Sequence, residues 1–330
     1  MKYIIILILL FVLELIYLKI ATVKNIKDKP NHRSAHTKPT IRGGGIIYVF
    51  AFIIYAVVFN EENNFYFLLI GILLVSTISF IDDLIMLSSK LRLVTHLIGF
   101  SLMFYSLGFF ELFSNYEIIL LLATTIFSIG FLNIYNFMDG INGITFLNAL
   151  ISYSSLLFIN IYYISFINSQ LLIILILATS VFGFFNFRQK AVCFAGDIGS
   201  ITIGFSLIYF VVKLYLVSNN LSVFLLLVVY LLDGGWTIVE RIFKKENIFE
   251  AHKRHLYQLL ANDFKIPHLR ISIIYFIIQL SINWLVIFTM IKGYNGLFIL
   301  LITFTIASLF YIVIKYKLHK RLTNKRELNN

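Results

Sequence analysis

Apolar runs long enough to cross a bilayer recur along almost the whole chain, and nothing else in the sequence constrains its fold as strongly. A helix rising 1.5 Å per residue needs about 20 apolar residues to cover a hydrocarbon layer of about 30 Å. Read between charged and polar breaks, such runs lie at roughly 3–21, 44–60, 65–81, 93–112, 116–135, 143–164, 171–186, 201–217, 221–239, 269–291 and 297–314. Inside lipid each backbone N–H and C=O must be satisfied within the segment, so the runs read as helices. The expectation is an all-α polytopic membrane protein with about eleven transmembrane helices, or ten if the short run at 44–60 does not cross. Spans at that density leave no room for a soluble domain in 330 residues, so 1–330 reads as a single integral membrane domain. The first run reads as an uncleaved span, since no A-x-A site follows its long apolar stretch.

Charge fixes the orientation. Lys and Arg outnumber Asp and Glu by 27 to 16, which in a soluble chain would point to nucleic acid. Here 24 of those 27 fall in the loops after runs 1, 3, 7 and 9 and in the tail, all on one side. The opposite loops are short and carry Glu61, Glu62, Glu111 and Glu117. The positive-inside bias therefore places the N-terminus outside and the tail in the cytoplasm, with no nucleic-acid partner. A single cysteine, Cys193, excludes a disulfide framework.

The chemically unusual residues all fall in the cytoplasmic loops, at about 22–43, 82–92, 136–142, 187–200 and 240–268. The first loop ends in Arg42-Gly43-Gly44-Gly45. Three glycines entering a helix let backbone N–H groups approach an anion, although a flexible joint uses the same residues. Asp82 and Asp83 sit together at a membrane boundary. Such a pair is costly unless a metal or another cation shares it, so it reads as a Mg²⁺ site or a base, or else as a helix end turning into water. Asn133, Asn136 and Asp139 recur every three residues and share one helix face, which should look into a cavity. In Phe194-Ala195-Gly196-Asp197-Ile198-Gly199-Ser200, glycines flank a carboxylate at a helix start, a pattern that suits a phosphate beside a cation or a plain turn. His252 and His255, with Arg254 between them, suit phosphate better than zinc, because no third soft ligand is evident. Clustered carboxylates, glycine turns and a His/Arg group together describe phosphoryl transfer between a membrane lipid and a soluble nucleotide.

The ordered set of a basic R-S-x-H-x-x-P-T-x-R-G-G-G loop, Asp82-Asp83, Asn133-x-x-Asn136-x-x-Asp139-Gly140, Phe194-x-Gly196-Asp197-x-Gly199-Ser200 and a His-rich last loop resembles a known family. It is similar to the bacterial polyprenyl-phosphate N-acetylhexosamine-1-phosphate transferases, glycosyltransferase family 4, and the resemblance runs from about residue 28 to 260. The resemblance implies transfer of a sugar 1-phosphate from a UDP-N-acetylhexosamine to undecaprenyl phosphate with release of UMP. It implies Mg²⁺, or Mn²⁺ in its place, at the cytoplasmic face of a bacterial inner membrane, with a homodimer left open. By position, Asp197 is then the main metal ligand. Asp82, Asp83 and Asp139 form the catalytic carboxylate set, with Asp82 and Asp83 at the lipid phosphate. Asn133, Asn136 and Phe194 take the nucleotide, Phe194 by stacking on uracil. His252, Arg254, His255, Gly43 and Gly44 take phosphate.

Two departures from the family pattern stand out. Asn142 replaces an aspartate often found in the D-G-x-D-G motif, which keeps a ligand oxygen and drops the charge. The last loop lacks the three-His run of the peptidoglycan enzyme, phospho-MurNAc-pentapeptide transferase. It looks more like members that start O-antigen or capsule chains, which often use 6-deoxy sugars such as FucNAc or QuiNAc. The rival readings are the peptidoglycan enzyme, an anion transporter and a CDP-alcohol phosphotransferase. A transporter should place polar groups at the bilayer midplane, and the last family's D-G is followed by a nearby Ala-Arg that is missing here. Asp233 reads equally as a site residue or a helix-packing partner. Glu14, Lys213, His96 and Cys193 carry no assigned chemistry.

Overall fold

The computed structural model describes residues 1–28, 39–60, 62–109, 118–246 and 253–327. Its helices are α1 (Lys2–Val23), α2 (Ile46–Val58), α3 (Phe65–Leu84), α4 (Ser89–Ser106), α5 (Ile118–Phe137), α6 (Ile144–Tyr162), α7 (Ser169–Asn186) and α8 (Gly196–Ser218). A 3₁₀ stretch at Leu221–Leu227 leads into α9 (Val228–Phe243), followed by the short α10 (Leu256–Gln258), α11 (His268–Ile291) and α12 (Gly296–Glu327). A helix thus stands at each of the eleven expected runs. Eight segments are long and apolar enough to cross a membrane, which makes this a polytopic membrane protein. The eleven expected full spans are not all met. Two runs give shorter apolar helices, at Ile46–Val58 and Leu121–Phe137. The run at 93–112 gives α4, whose first turn carries Lys90 and Arg92 and whose body carries His96, so it falls below the apolarity of the others.

The described residues also hold one departure from an all-helical fold. Strands β1 (Lys27–Asp28) and β2 (Thr40–Ile41) pair antiparallel. Ile41 then bridges in parallel to Cys193, and the Phe194 N–H donates to the Ile41 carbonyl at 2.8 Å. This ladder lays the first loop directly against the start of α8.

α8 is the centre of the bundle, buried along nearly its whole length and packed by α2, α3, α5 and α6. That explains why it shows no polar stripe: a helix enclosed on all sides is apolar all round. α12 is the opposite case, with Leu301, Leu309 and Phe310 exposed as suits a lipid-facing surface. The break before α9 is satisfied from α11. Gln279 donates to the Leu225 carbonyl at 3.0 Å and accepts from the Val229 N–H at 3.0 Å. Gln279 also donates to Asn283, which donates to Ser155 on α6. Interhelical bonds of this kind contribute about 0.6 kcal/mol each in membranes.

Candidate active site

Among the described residues, most of those singled out from the sequence gather where the basic loops lie, at the C-terminal ends of α3, α5 and α9 and the N-terminal end of α8. The tightest cluster joins three separate elements. Arg42 Nε lies 2.6 Å from Asp83 Oδ1, and Arg42 Nη2 lies 2.8 Å from Asp197 Oδ1. Asp83 also accepts from the backbone N–H groups of Asp197, at 3.1 Å, and Ile198, at 3.3 Å. The last turn of α3 therefore caps the first turn of α8, supplying a carboxylate to N–H groups with no partner in their own helix. Arg42 is 31% exposed, Asp197 19% and Asp83 only 1%, so the cluster opens toward Arg42 and Asp197.

This geometry gives Asp82 and Asp83 different partners. Neighbouring helix residues point about 100° apart, so i and i+1 do not face the same partner. Asp82 instead pairs with Arg92 on α4 at 2.9 Å and accepts from the Leu87 N–H at 2.8 Å, pinning the α3–α4 turn.

The glycines pack against the protein's own backbone. The Gly44 N–H donates to the Phe194 carbonyl at 2.9 Å, and the Gly45 N–H to the Ala195 carbonyl at 3.0 Å. Those donors are committed to the protein itself rather than to a phosphate. What the glycines provide is close approach. A Cβ on Gly45 would collide with the backbone of Gly199, and one on Gly44 with the Cys193 sulfur. Gly43 adopts φ +87°, where a side chain is strained. The same packing explains why an α8 start needs glycine on both sides of Asp197.

On α5, Asn136 accepts from the Ser200 hydroxyl at 2.7 Å and so touches the first turn of α8. Asp139 accepts from Thr145 at 2.5 Å. Burial pushes the Asp139 carboxyl up to about 7; the Thr145 bond opposes that shift, and the charge of Asp197 adds to it. Asn133 departs from the shared-face expectation. Its side chain is exposed, and its amide donates to the Ile129 carbonyl of its own helix at 2.9 Å. Asn142 is buried and holds the neighbouring loop, donating to the carbonyls of Arg188 and Gln189 at 2.9 and 3.1 Å. Phe194 is half-buried beside Cys193, next to the strand contact.

The last loop behaves differently. His252 lies outside the described residues, as do residues 29–38 of the first loop. His255, expected to meet phosphate, is only 2% exposed, stacks on Tyr257 and places Nδ1 3.5 Å from Asp233 Oδ1. Arg254, also expected at phosphate, pairs with Glu240 and Glu246. Asp233 organises this region. It accepts from the N–H groups of Leu256 and Tyr257, from Tyr275 Oη at 2.6 Å and from Tyr311 Oη at 2.9 Å. Tyr257 Oη in turn donates to the Phe137 carbonyl at 2.7 Å, tying the loop to the end of α5.

Of the two readings the sequence left open for Asp233, its contacts here are those of a packing partner. One functional candidate was missed from the sequence. Arg42 carried a weak signal, as the single arginine abutting the glycine run. Burial alone would lower its pKa, but the charges of Asp197, Asp83 and Asp28 outweigh that and hold it above its ordinary value. Among the described residues no three His, Cys, Asp or Glu side chains converge on one point. What the site does offer is a pair of carboxylates already holding one positive group.

Residues 65–215 match the family model described as glycosyl transferase family 4. The chain is 26% identical over 267 residues to a protein named probable undecaprenyl-phosphate N-acetylglucosaminyl 1-phosphate transferase from Bacillus subtilis, covering 76% of this chain and 74% of that protein. It is 29% identical over 200 residues to a phospho-N-acetylmuramoyl-pentapeptide-transferase from Streptococcus pneumoniae, covering 54% of this chain and 60% of that protein. The chain thus spans about three fifths of the length of the pneumococcal relatives it matches.

Proposed function

We infer the activity from the match of residues 65–215 to the glycosyl transferase family 4 model, taken together with the site geometry. The protein transfers an N-acetylhexosamine 1-phosphate from its UDP-sugar to undecaprenyl phosphate, releasing UMP, at the cytoplasmic face of a bacterial membrane. The product would start a cell-envelope polysaccharide. The observation that carries this reading is the convergence of Asp83 and Asp197 on Arg42 where helices meet the basic loops.

In the reaction an oxygen of the lipid phosphate bonds to the phosphorus carrying the sugar, and the bond between the two phosphates breaks, leaving UMP. A lipid phosphate is already largely ionised near neutral pH, so positioning and charge neutralisation carry most of the catalysis. The residues fit a divalent cation. Mg²⁺ is commonly held by one or two carboxylates together with substrate phosphates and water, and Asp83 and Asp197 already hold a positive group between them. Those two would hold the ion, which when bound neutralises the developing phosphate charge. Asp83 does a second job by fixing the α8 N-terminus, so that the exposed edge of Asp197 faces incoming phosphate. Asn136 and Phe194, flanking the same turn, would meet the nucleotide. Asp139, held near neutrality, would move a proton only if the lipid phosphate arrives protonated.

The peptidoglycan reading keeps a place because the pneumococcal relatives carry that name. The test covers both. Purified protein in detergent is given undecaprenyl phosphate, Mg²⁺ and a panel of UDP-sugars that includes UDP-MurNAc-pentapeptide, and UMP is followed. Release that requires both lipid and metal is the expected result, and the best donor names the pathway. No UMP with any donor, together with nucleotide-independent anion uptake by vesicles, would replace this reading with transport.

A further inference from the structure

We propose that Arg42 is a resident counter-cation of the Asp83–Asp197 pair, and that it exchanges with the divalent cation to become a ligand for the diphosphate of the nucleotide-sugar. The proposal rests on the phosphoryl-transfer reading above and deepens it by giving one unassigned residue two successive partners.

The backbone around Arg42 is held in place. Its N–H donates to the Ile26 carbonyl at 3.3 Å, its carbonyl accepts from Tyr17 Oη at 2.6 Å, and Gly43 follows at φ +87°. Only the side chain has room to move. That side chain forks between carboxylates from two different helices, using two separate nitrogens of the rigid guanidinium plane, Nε and Nη2. Without a positive group, the 1% exposed Asp83 would sit uncompensated beside Asp197. A dication bound by these same oxygens would repel a guanidinium 2.6 and 2.8 Å from them. Arg42 therefore gives up its pairing when a divalent cation enters. Tethered at the mouth of the site and 31% exposed, the released fork is left beside the position where a diphosphate must sit. The consequence is coupling: metal promotes nucleotide binding through Arg42, and nucleotide promotes metal binding by the same factor.

The test measures binding by the full chain in detergent. Mn²⁺ binding is read by electron paramagnetic resonance of the free ion, and UDP-N-acetylglucosamine binding by calorimetry with and without Mn²⁺. Arg42→Gln should bind Mn²⁺ alone roughly tenfold more tightly, because the competitor is gone. It should bind the nucleotide-sugar roughly tenfold more weakly in Mn²⁺, because a diphosphate ligand is gone. Arg42→Lys should tighten Mn²⁺ by a smaller factor, and it carries the test if the glutamine variant does not fold. Opposite movement of the two affinities is the signature a merely structural role would not give. Unchanged or weaker Mn²⁺ binding in both variants overturns the proposal. Asp197→Asn separates the two levels of inference. Loss of Mn²⁺ binding there, with no tightening in the Arg42 variants, discards the exchange and leaves the metal assignment standing. Retained Mn²⁺ binding in Asp197→Asn discards both.

Discussion

Two charged regions lie at the same end of this bundle and solve the burial of carboxylates in opposite ways. Around Asp233 and Glu240 the acids are closed off by partners. Asp233 takes two backbone N–H groups and two tyrosine hydroxyls, while Glu240 takes Lys244, Lys315 and Arg254. Around Asp83 and Asp197 one arginine serves two acids, and the side facing the loops stays open. Saturation makes the first region a clamp joining α9, the last loop and α12. Incomplete saturation leaves the second with spare capacity for positive charge, which is what phosphoryl transfer needs.

The largest effect expected from this contrast is on turnover. Asp197→Asn should lower UMP release by about a thousandfold or more, about 4 kcal/mol of transition-state stabilisation, with little change in thermal unfolding. Wild-type turnover in that variant would move the essential charge elsewhere. Asp233→Ala should do the reverse of this in kind. It strips four donors of their buried acceptor, so a stability loss of about 3 kcal/mol is expected in thermal melts. A variant of Asp233 that melts like wild type yet fails to turn over would transfer Asp233 from the clamp to the reaction centre.

The next expected effect separates two neighbours. Asp83→Asn removes the charge that pairs with Arg42 and caps α8, while Asp82→Asn only loosens a pair with the 40% exposed Arg92. Partly exposed pairs contribute about 0.2–1 kcal/mol, so the Asp82 variant should keep most of its activity and the Asp83 variant should not. Equal losses in a UMP assay would mean that both carboxylates reach substrate, as their adjacency in the sequence led one to expect.

The same neighbours show what could be read in advance. Spans and loops were legible because about 20 apolar residues per crossing is a one-dimensional signal, and so was the clustering of acids and glycines at the basic loops. Pairing was not legible, since it depends on which helix end each side chain meets. Asp82 and Asp83 look equivalent in the chain and part by about 100° in a helix. Gly44 and Gly45 look like anion-binding donors until their N–H groups are found on Phe194 and Ala195. His255 and Arg254 look like phosphate ligands until Asp233, Glu240 and Glu246 take them. Asn133 satisfied the three-residue spacing and still turned to its own backbone.

A further test asks whether the open region also carries a proton. Asp139 lies between the two regions, its carboxyl held up to about 7 by burial against the ordinary value of 3.8. Between those values the folded protein keeps a proton that the unfolded chain has released. Stability should then decline as pH rises through that window, being fully present below about pH 4 and lost above about pH 7. Thermal unfolding in detergent at pH 5 and pH 8 measures this, and Asp139→Asn should reduce the difference by its own share because its amide does not titrate. If the slope is unchanged in that variant, Asp139 does not carry the proton. If it shrinks, the acid beside Asp197 keeps its proton in the folded protein below about pH 7 and adds no negative charge for a divalent cation there.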